Sequence, residues 1–403
     1  MKSSLLTSIA LVVLAGGGAA AFAQQRSAPA GTVTYWLSAD TVSGLAAAMG
    51  GGQGGRANIL GMMARGGPRP DAFAHNLKLE LGSPRRPTGA PAADHFIPTA
   101  LNAGPSLPLV TPAPNAPPPT RPDYTPGMGD GGAQGRMLIY WGCGEHVRPG
   151  QPFEFDFARM RAGQAPPAMA ALAVRPMIPP SAATSATYGD WPNERSRTTI
   201  PANGSLVGDH LIRGNYSPDI RFSLAAGQDF LPPIVLTANT RAASGAVPLA
   251  WQPVAGGRGY FAMAVGAAED RTMILWSSSE IQFSQMGAYD YLSPEEVARL
   301  VAQRVVLSPQ TTQCTVPAEV AGRVQAASLM MTAFGPEANF SHPARPAAAP
   351  RGWAPEWTVK LRTRASYMGM LGMDMGAMMR GEERRRQPEQ PRRRRNPLGG
   401  ILG

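Results

Sequence analysis

The chain is poor in cysteine, histidine and lysine, and each shortage excludes a kind of chemistry. Among 403 residues there are two cysteines, Cys143 and Cys314, and five scattered histidines, His75, His95, His146, His210 and His342. They form no CxxC or HExxH motif, and no two histidines stand four apart, so the usual zinc signatures are missing. The run Cys143-x-Glu145-His146 gathers three metal-capable side chains in four residues. It lacks the second short motif that a closed metal site needs, and it reads as a turn. Lysine occurs only at Lys2, Lys78 and Lys360, so the basic charge is carried by arginine. After the N-terminal segment no stretch approaches about 18 apolar residues, which excludes a spanning helix there.

Other familiar motifs fail on context. Gly127-Met128-Gly129-Asp130-Gly131-Gly132 matches G-x-G-x-x-G, but it follows prolines and precedes a strand-like run, whereas a dinucleotide site follows a strand and opens a helix. Gly204-Ser205-Leu206-Val207-Gly208 misses the nucleophile elbow by one position, and a triad drawn from Ser205, Asp209 and His210 has no strand-turn-helix context. No catalytic, cofactor-binding or metal-binding residue is assigned from the sequence.

What is present begins with a leader. Met1 and Lys2, the apolar run Leu5 to Ala15 and the closing Ala21-Phe22-Ala23 have the pattern of a secretory signal peptide over 1–23, cleaved after Ala23. The mature chain is then expected in the periplasm or outside the cell. In an oxidising compartment the two cysteines read most simply as one disulfide, with two buried free thiols as the alternative. A bridge closing a loop of roughly 170 residues stabilises by up to about 5 kcal/mol in the chain-entropy model, before strain.

The body reads as mainly β. The expected architecture is two β-sandwich-like units with one short helix, proline-rich linkers and a disordered C-terminal tail. Thr32 to Leu37 is β-branched and aromatic, and Leu77, Leu79 and Leu81 alternate with polar residues, the period of a half-buried strand. These belong to an N-terminal unit, 24–162. Its proline-rich excursion, 82–135, is expected to wrap the surface. Arg136 to Trp141 and Phe153 to Phe157 resume strand character. A proline- and alanine-rich linker, 163–186, marks the boundary to a C-terminal sandwich-like unit, 187–365, built from short β runs. Ser293, Pro294 and Glu296 carry the cap, first-position proline and capping-box glutamate of one helix, 294–306, with Val297, Leu300, Val301 and Val305 as its apolar stripe.

Within the second unit, Ala246 to Val265 reads AVPLAWQPVAGGRGYFAMAV, two apolar strands joined by a glycine-rich turn. Leu249, Trp251, Pro253, Val254, Gly256, Gly259 and Tyr260 resemble, in type and spacing, the fibronectin type III and related immunoglobulin-like modules, over roughly residues 240–280. The resemblance implies a binding or spacing scaffold, with Leu249, Trp251 and Tyr260 in its core. The capped helix departs from that family, because it occupies the length a complete module needs for its last strands.

The tail, 366–403, is methionine-rich and then arginine-rich. From Arg380 to Arg395 eight arginines face three glutamates, a net of +5 and half of the chain's +10. Arg384, Arg385, Arg386, Arg392, Arg393, Arg394 and Arg395 are the candidate contacts to an anionic surface. No aromatic residues interleave them, and nucleic acid is not an expected partner. Met368, Met370, Met373, Met375, Met378 and Met379 suit Cu(I) as soft ligands and equally suit an adaptable apolar contact. The leading expectation is an exported, non-enzymatic cell-envelope or secreted binding or scaffold protein without a cofactor, its partner an envelope polymer or protein. The alternatives are a periplasmic copper-handling protein using the methionines, and a hydrolase with an unrecognised site.

Overall fold

A computed structural model describes residues 31–48, 72–112, 135–161, 174–196, 198–268, 272–282 and 290–373. The signal-peptide segment, the Gly127–Gly132 motif and the arginine block lie outside these residues. The strands are β1 (Val33–Gly44), β2 (Phe73–Ser83), β3 (Ala93–Phe96), β4 (Ser106–Leu109), β5 (Arg136–Trp141), β6 (Phe153–Asp156), β7 (Thr187–Trp191) and β8 (Gly208–Gly214). They continue with β9 (Ile220–Leu224), β10 (Leu236–Asn239), β11 (Val247–Trp251), β12 (Gly259–Ala267), β13 (Thr272–Ser277), β14 (Gln313–Val316), β15 (Ala326–His342) and β16 (Trp357–Met370). Short helices are α1 (Leu45–Ala48), α2 (Phe157–Arg161), α3 (Pro294–Ala302) and α4 (Ala318–Arg323). The protein is mainly β, as the alternation of apolar and polar residues requires.

The strands form three sheets. Nine of them run in the order β6-β5-β13-β12-β15-β16-β1-β2-β7, with β1/β16 and β5/β13 parallel and the other pairs antiparallel. Smaller sheets, β4-β3-β8-β9 and β10-β11-β14, lie over it. Strands from both sides of 163–186 interleave in the large sheet, so the expected linker does not divide it into two units. Local patterning reveals strands and not their partners, and here the longest pairings join residues more than 300 apart, Val33 with Trp357 through Gly44 with Met368.

One face of the large sheet carries two cores. Val33, Tyr35, Leu37, Leu77, Leu79, Val359 and Leu361 pack against Leu107, Ile212 and Ile220 of the four-stranded sheet. Farther along, Tyr260, Ala262, Ile274, Trp276, Leu329 and Ala365 pack against Val247, Leu249, Trp251 and Val316 of the three-stranded sheet. Leu249, Trp251 and Tyr260 are all buried. β11 and β12 belong to different sheets, and the Trp251 and Tyr260 rings meet edge to face at 5.4 Å across the gap between them. The Tyr260 hydroxyl accepts a hydrogen bond from the Val254 amide at 2.9 Å, which fixes the intervening turn. The Cys143–Cys314 disulfide, spanning 171 positions, ties the loop after β5 to β14 and so fastens the small sheet to the large one.

Several expectations need correction. The proline-rich stretch 82–135 does not only wrap the surface: β3 and β4 lie inside it and complete the four-stranded sheet. Pro108 is tolerated because β4 is an edge strand. β16 continues to Met370, into the expected tail, because β15 pairs with it as far as Met370 itself. Phe157 opens a short helix and not the end of a strand. The α3 helix has its Ser293 cap, which accepts from the Glu296 amide at 3.2 Å, but it ends at Ala302. Arg304 then adopts a left-handed φ of 59°, which turns Val305 and Val306 onto the sheet. The Glu296 carboxylate does not close the capping box; it is drawn to the Arg175 amide at 2.8 Å and to the Arg299 guanidinium.

A polar chain threads the first core. The Tyr35 hydroxyl lies 2.8 Å from His95 Nδ1, His95 Nε2 lies 2.9 Å from His210 Nδ1, and His210 Nε2 lies 2.7 Å from the Leu206 carbonyl. The carbonyl can only accept, so His210 carries its proton on Nε2, His95 on Nε2, and Tyr35 donates. Every member is satisfied with both imidazoles neutral.

Candidate functional site

The opposite face of the large sheet is divided. On one half, Phe261, Met263, Val265 and Phe334 are covered by Leu292, Val297, Leu300, Val305 and Val306 of the α3 segment. On the other half, strands β15, β16, β1, β2 and β7 present charge where the first half presents hydrocarbon. Alternation accounts for this locally: Lys360, Arg362 and Arg364 point away from the core that takes Val359, Leu361 and Ala365. Pairing supplies the acids. Register sets Asp40 opposite Arg364, Trp36 opposite Lys360 and Glu80, and Glu80 opposite Asp190, while β15 sets Glu337 opposite Arg362.

Two acid–arginine pairs in this cluster differ in closure. Asp40 Oδ2 takes Arg364 Nε at 3.0 Å and Nη2 at 2.9 Å, and the carboxylate also accepts from Ser366 Oγ at 2.9 Å. Glu80, on β2, is two strands from Arg362, so the guanidinium must reach across β1. It donates from Nε to Ser38 Oγ at 2.7 Å on the way and stops with Nη2 3.8 Å from Glu80 Oε2, beyond hydrogen-bond range. Glu80 and Arg362 are 2% and 6% exposed, yet Glu80 Oε2 and Arg362 Nη1 have no hydrogen-bond partner among the described residues. Glu337 Oε2, on the same face, has none either.

Aromatic rings hold the cations in place. The Arg362 guanidinium lies 5.0 Å from the Trp36 ring centre and 4.4 Å from that of Tyr291, and Arg364 also lies 4.4 Å from Tyr291. Burial lowers the Arg362 pKa, and it raises that of Tyr291. The Tyr188 hydroxyl sits between two carboxylates, 3.5 Å from Glu80 Oε1 and 3.3 Å from Asp190 Oδ2. Burial pushes the Asp190 carboxyl above its ordinary range, and burial followed by the two neighbouring carboxylates raises Tyr188. No protein-family model, curated protein or solved structure matches the chain.

The residues singled out from the sequence lie elsewhere. Ser205 Oγ donates to Asp229 at 2.5 Å, Asp209 accepts from Ser223, and His210 is enclosed in the first core, so the three do not assemble into a triad. Cys143 is in the disulfide, while His146 Nδ1 lies 3.0 Å from Glu319 on the exposed surface. Among the described residues no group of three or more His, Cys, Asp and Glu is placed to hold a metal ion. Met368 and Met370 are in β16, and Met375, Met378 and Met379 lie outside the described residues. A cleft of about 580 Å³ near β5, β13 and α4 is lined by Leu138, Ile274, Val324, Arg136, Glu154 and Arg323. Its Arg136–Glu154 pair, at 3.5 Å, is half exposed and mutually neutralised.

Sequence reading missed the charged half-face because its members come from five strands. The polar positions of β16 and β2 look like ordinary solvated strand faces. The available signal was Lys360-x-Arg362-x-Arg364, three cations alternating on one side of a strand, which calls for acids on its neighbours.

Proposed function

We propose that this is an exported, non-enzymatic binding protein of the cell envelope or secreted fraction, and that the charged half of the nine-stranded sheet is its binding face. The observation that carries the reading is the open Glu80–Arg362 pair. Glu80 pairs with Lys78 at 2.5 Å and lies 3.8 Å from Arg362, yet Glu80 Oε2 and Arg362 Nη1 are buried without hydrogen-bond partners among the described residues, a cost in stability that a ligand supplying those bonds would offset. The disulfide fits an oxidising compartment, and the sequence pattern of 1–23 fits export. In this reading Arg384 to Arg395 add electrostatic attachment to an anionic surface, and the resemblance around Trp251 supplies scaffold.

Cosedimentation of the purified full chain with an insoluble bacterial envelope fraction tests the reading. The Glu80→Gln/Arg362→Gln protein should stay in the supernatant while the wild type pellets, and deletion of Gly381 to Gly403 should weaken pelleting in a salt-dependent way. Glu80→Gln alone, checked for an unchanged urea midpoint, separates lost binding from lost folding. Equal pelleting of wild type and both face variants refutes the binding face.

A further inference from the structure

We infer that the cleft of about 580 Å³ beside β5, β13 and the end of α4 binds a small carboxylic acid with an apolar body, its carboxylate held by Arg323. The cleft lies at the β6 end of the large sheet, away from the charged half-face, and the inference does not rest on that reading. Shape is the first argument. Register sets Glu154, Leu138 and Ile274 side by side on β6, β5 and β13, with Arg136 beside Thr272 in the next row, so three strands make the floor. Val324 and Ala268, both half-buried, add apolar walls. A Cβ built on Gly322 would meet no atom within 4 Å, so the cleft is open beside α4. Its volume falls within the roughly 300 to 1,000 Å³ of small-molecule pockets.

Charge is the second argument. Arg323 has no hydrogen bond or ion pair among the described residues. Glu319, one helical turn back, is the acid that would ordinarily pair with it. Both of its oxygens are engaged elsewhere: Oε1 lies 3.0 Å from His146 Nδ1, and Oε2 accepts from the Val147 amide at 3.2 Å. The carbonyl end of α4 is taken as well, because Arg241 donates to the Ala321 carbonyl at 2.6 Å. On the floor Arg136 faces Glu154 at 3.5 Å, and Asp156, which register sets opposite Arg136, lies 3.7 Å from Arg159. Among the described lining residues one positive charge is left over, that of Arg323.

The ligand chemistry follows from these two. A planar guanidinium fork matches the two oxygens of a carboxylate with two parallel hydrogen bonds. A dianion such as inorganic phosphate brings a second charge toward Glu154, and an ammonium is repelled by Arg323 itself. The apolar walls gain only from a ligand that carries hydrocarbon beside its charge.

Isothermal titration calorimetry on the full chain tests the inference with benzoate, phenylacetate, hexanoate and octanoate, beside the amide of each, benzylamine and inorganic phosphate. At least one carboxylate should bind about tenfold or more tightly than its amide, and Arg323→Gln should weaken that binding by a similar factor, because a charge-assisted pair is lost. Gly322→Leu places a side chain in the opening at a helical position that accepts it, and should abolish binding with no fall in the urea midpoint. Asp219→Asn, which alters an exposed ion pair on the four-stranded sheet, should leave binding unchanged. Equal binding of acid and amide overturns the carboxylate, as does a preference for phosphate or benzylamine. Unchanged binding in Arg323→Gln or in Gly322→Leu overturns the site, and so does a panel in which no carboxylate binds.

Discussion

Acidification should destabilise this protein through the Tyr35–His95–His210 chain. His95 and His210 are almost wholly buried, and their hydrogen bonds require both rings neutral. Burial lowers both pKa values, and the neighbouring His210 lowers His95 further. Tyr216 faces Tyr35, Asp209 lies beside His210, and Phe222 stacks on the His210 ring at 4.8 Å, so no carboxylate is hydrogen-bonded to either imidazole. The unfolded chain therefore binds more protons than the folded one below about pH 6.5, and stability falls with pH from there until the folded rings protonate. An imidazole that stays neutral in the folded state loses about 2 kcal/mol of stability between pH 7 and pH 5, and the pair up to about 4 kcal/mol. That is a large share of the roughly 5 to 15 kcal/mol of an ordinary domain.

Urea unfolding at pH 7 and pH 5, followed by tryptophan fluorescence, reads this loss. His95→Gln keeps an acceptor toward Tyr35 and a donor toward His210 but does not titrate, so its acid loss should be about 2 kcal/mol smaller than that of the wild type. His75, whose pKa is also lowered by burial, is present in both proteins and cancels in the comparison. Unfolded carboxylates titrate near pH 4, below the chosen window. If His95→Gln lost as much stability as the wild type between the two pH values, the assignment of neutral, proton-sensitive imidazoles would be refuted.

Two further outcomes bear on the scaffold. Replacing both cysteines by serine, or reducing the native protein, should lower stability by up to about 5 kcal/mol, read as a shift in urea midpoint; an unchanged midpoint would mean that the large and small sheets hold together without the bridge. Trp251→Ala should cost about 3 to 5 kcal/mol, because it empties a buried site between β11 and Tyr260, and calorimetry showing no loss would contradict the packing of the second core.

Strand positions were largely legible, because burial on one face writes itself as alternation. Arg136–Trp141 and Val247–Trp251 are strands with the expected limits, and β9 buries Ile220, Phe222 and Leu224 in strict alternation. The Ser293 cap was equally local. β3 and β4 were hidden by the surrounding prolines, since the edge strand β4 needs few of its own donors and the β3 that it joins is paired on its other side with β8, more than 100 residues away. The acids of the candidate site were hidden for a related reason: nothing near Arg362 in sequence announces Glu80.

By itself the sequence determined what neighbours decide: a mainly β chain, the run of each strong strand, one capped helix and two cysteines available to pair. Tertiary structure decided which strands meet. It joined β1 to β16 and β5 to β13, closed the disulfide across 171 positions, and placed Glu80 two strands from Arg362 with a gap between them. The physical reason is the range of the forces. Periodicity and capping act over a few residues, whereas pairing and ionic contact act over a few ångströms between residues that the chain holds hundreds of positions apart.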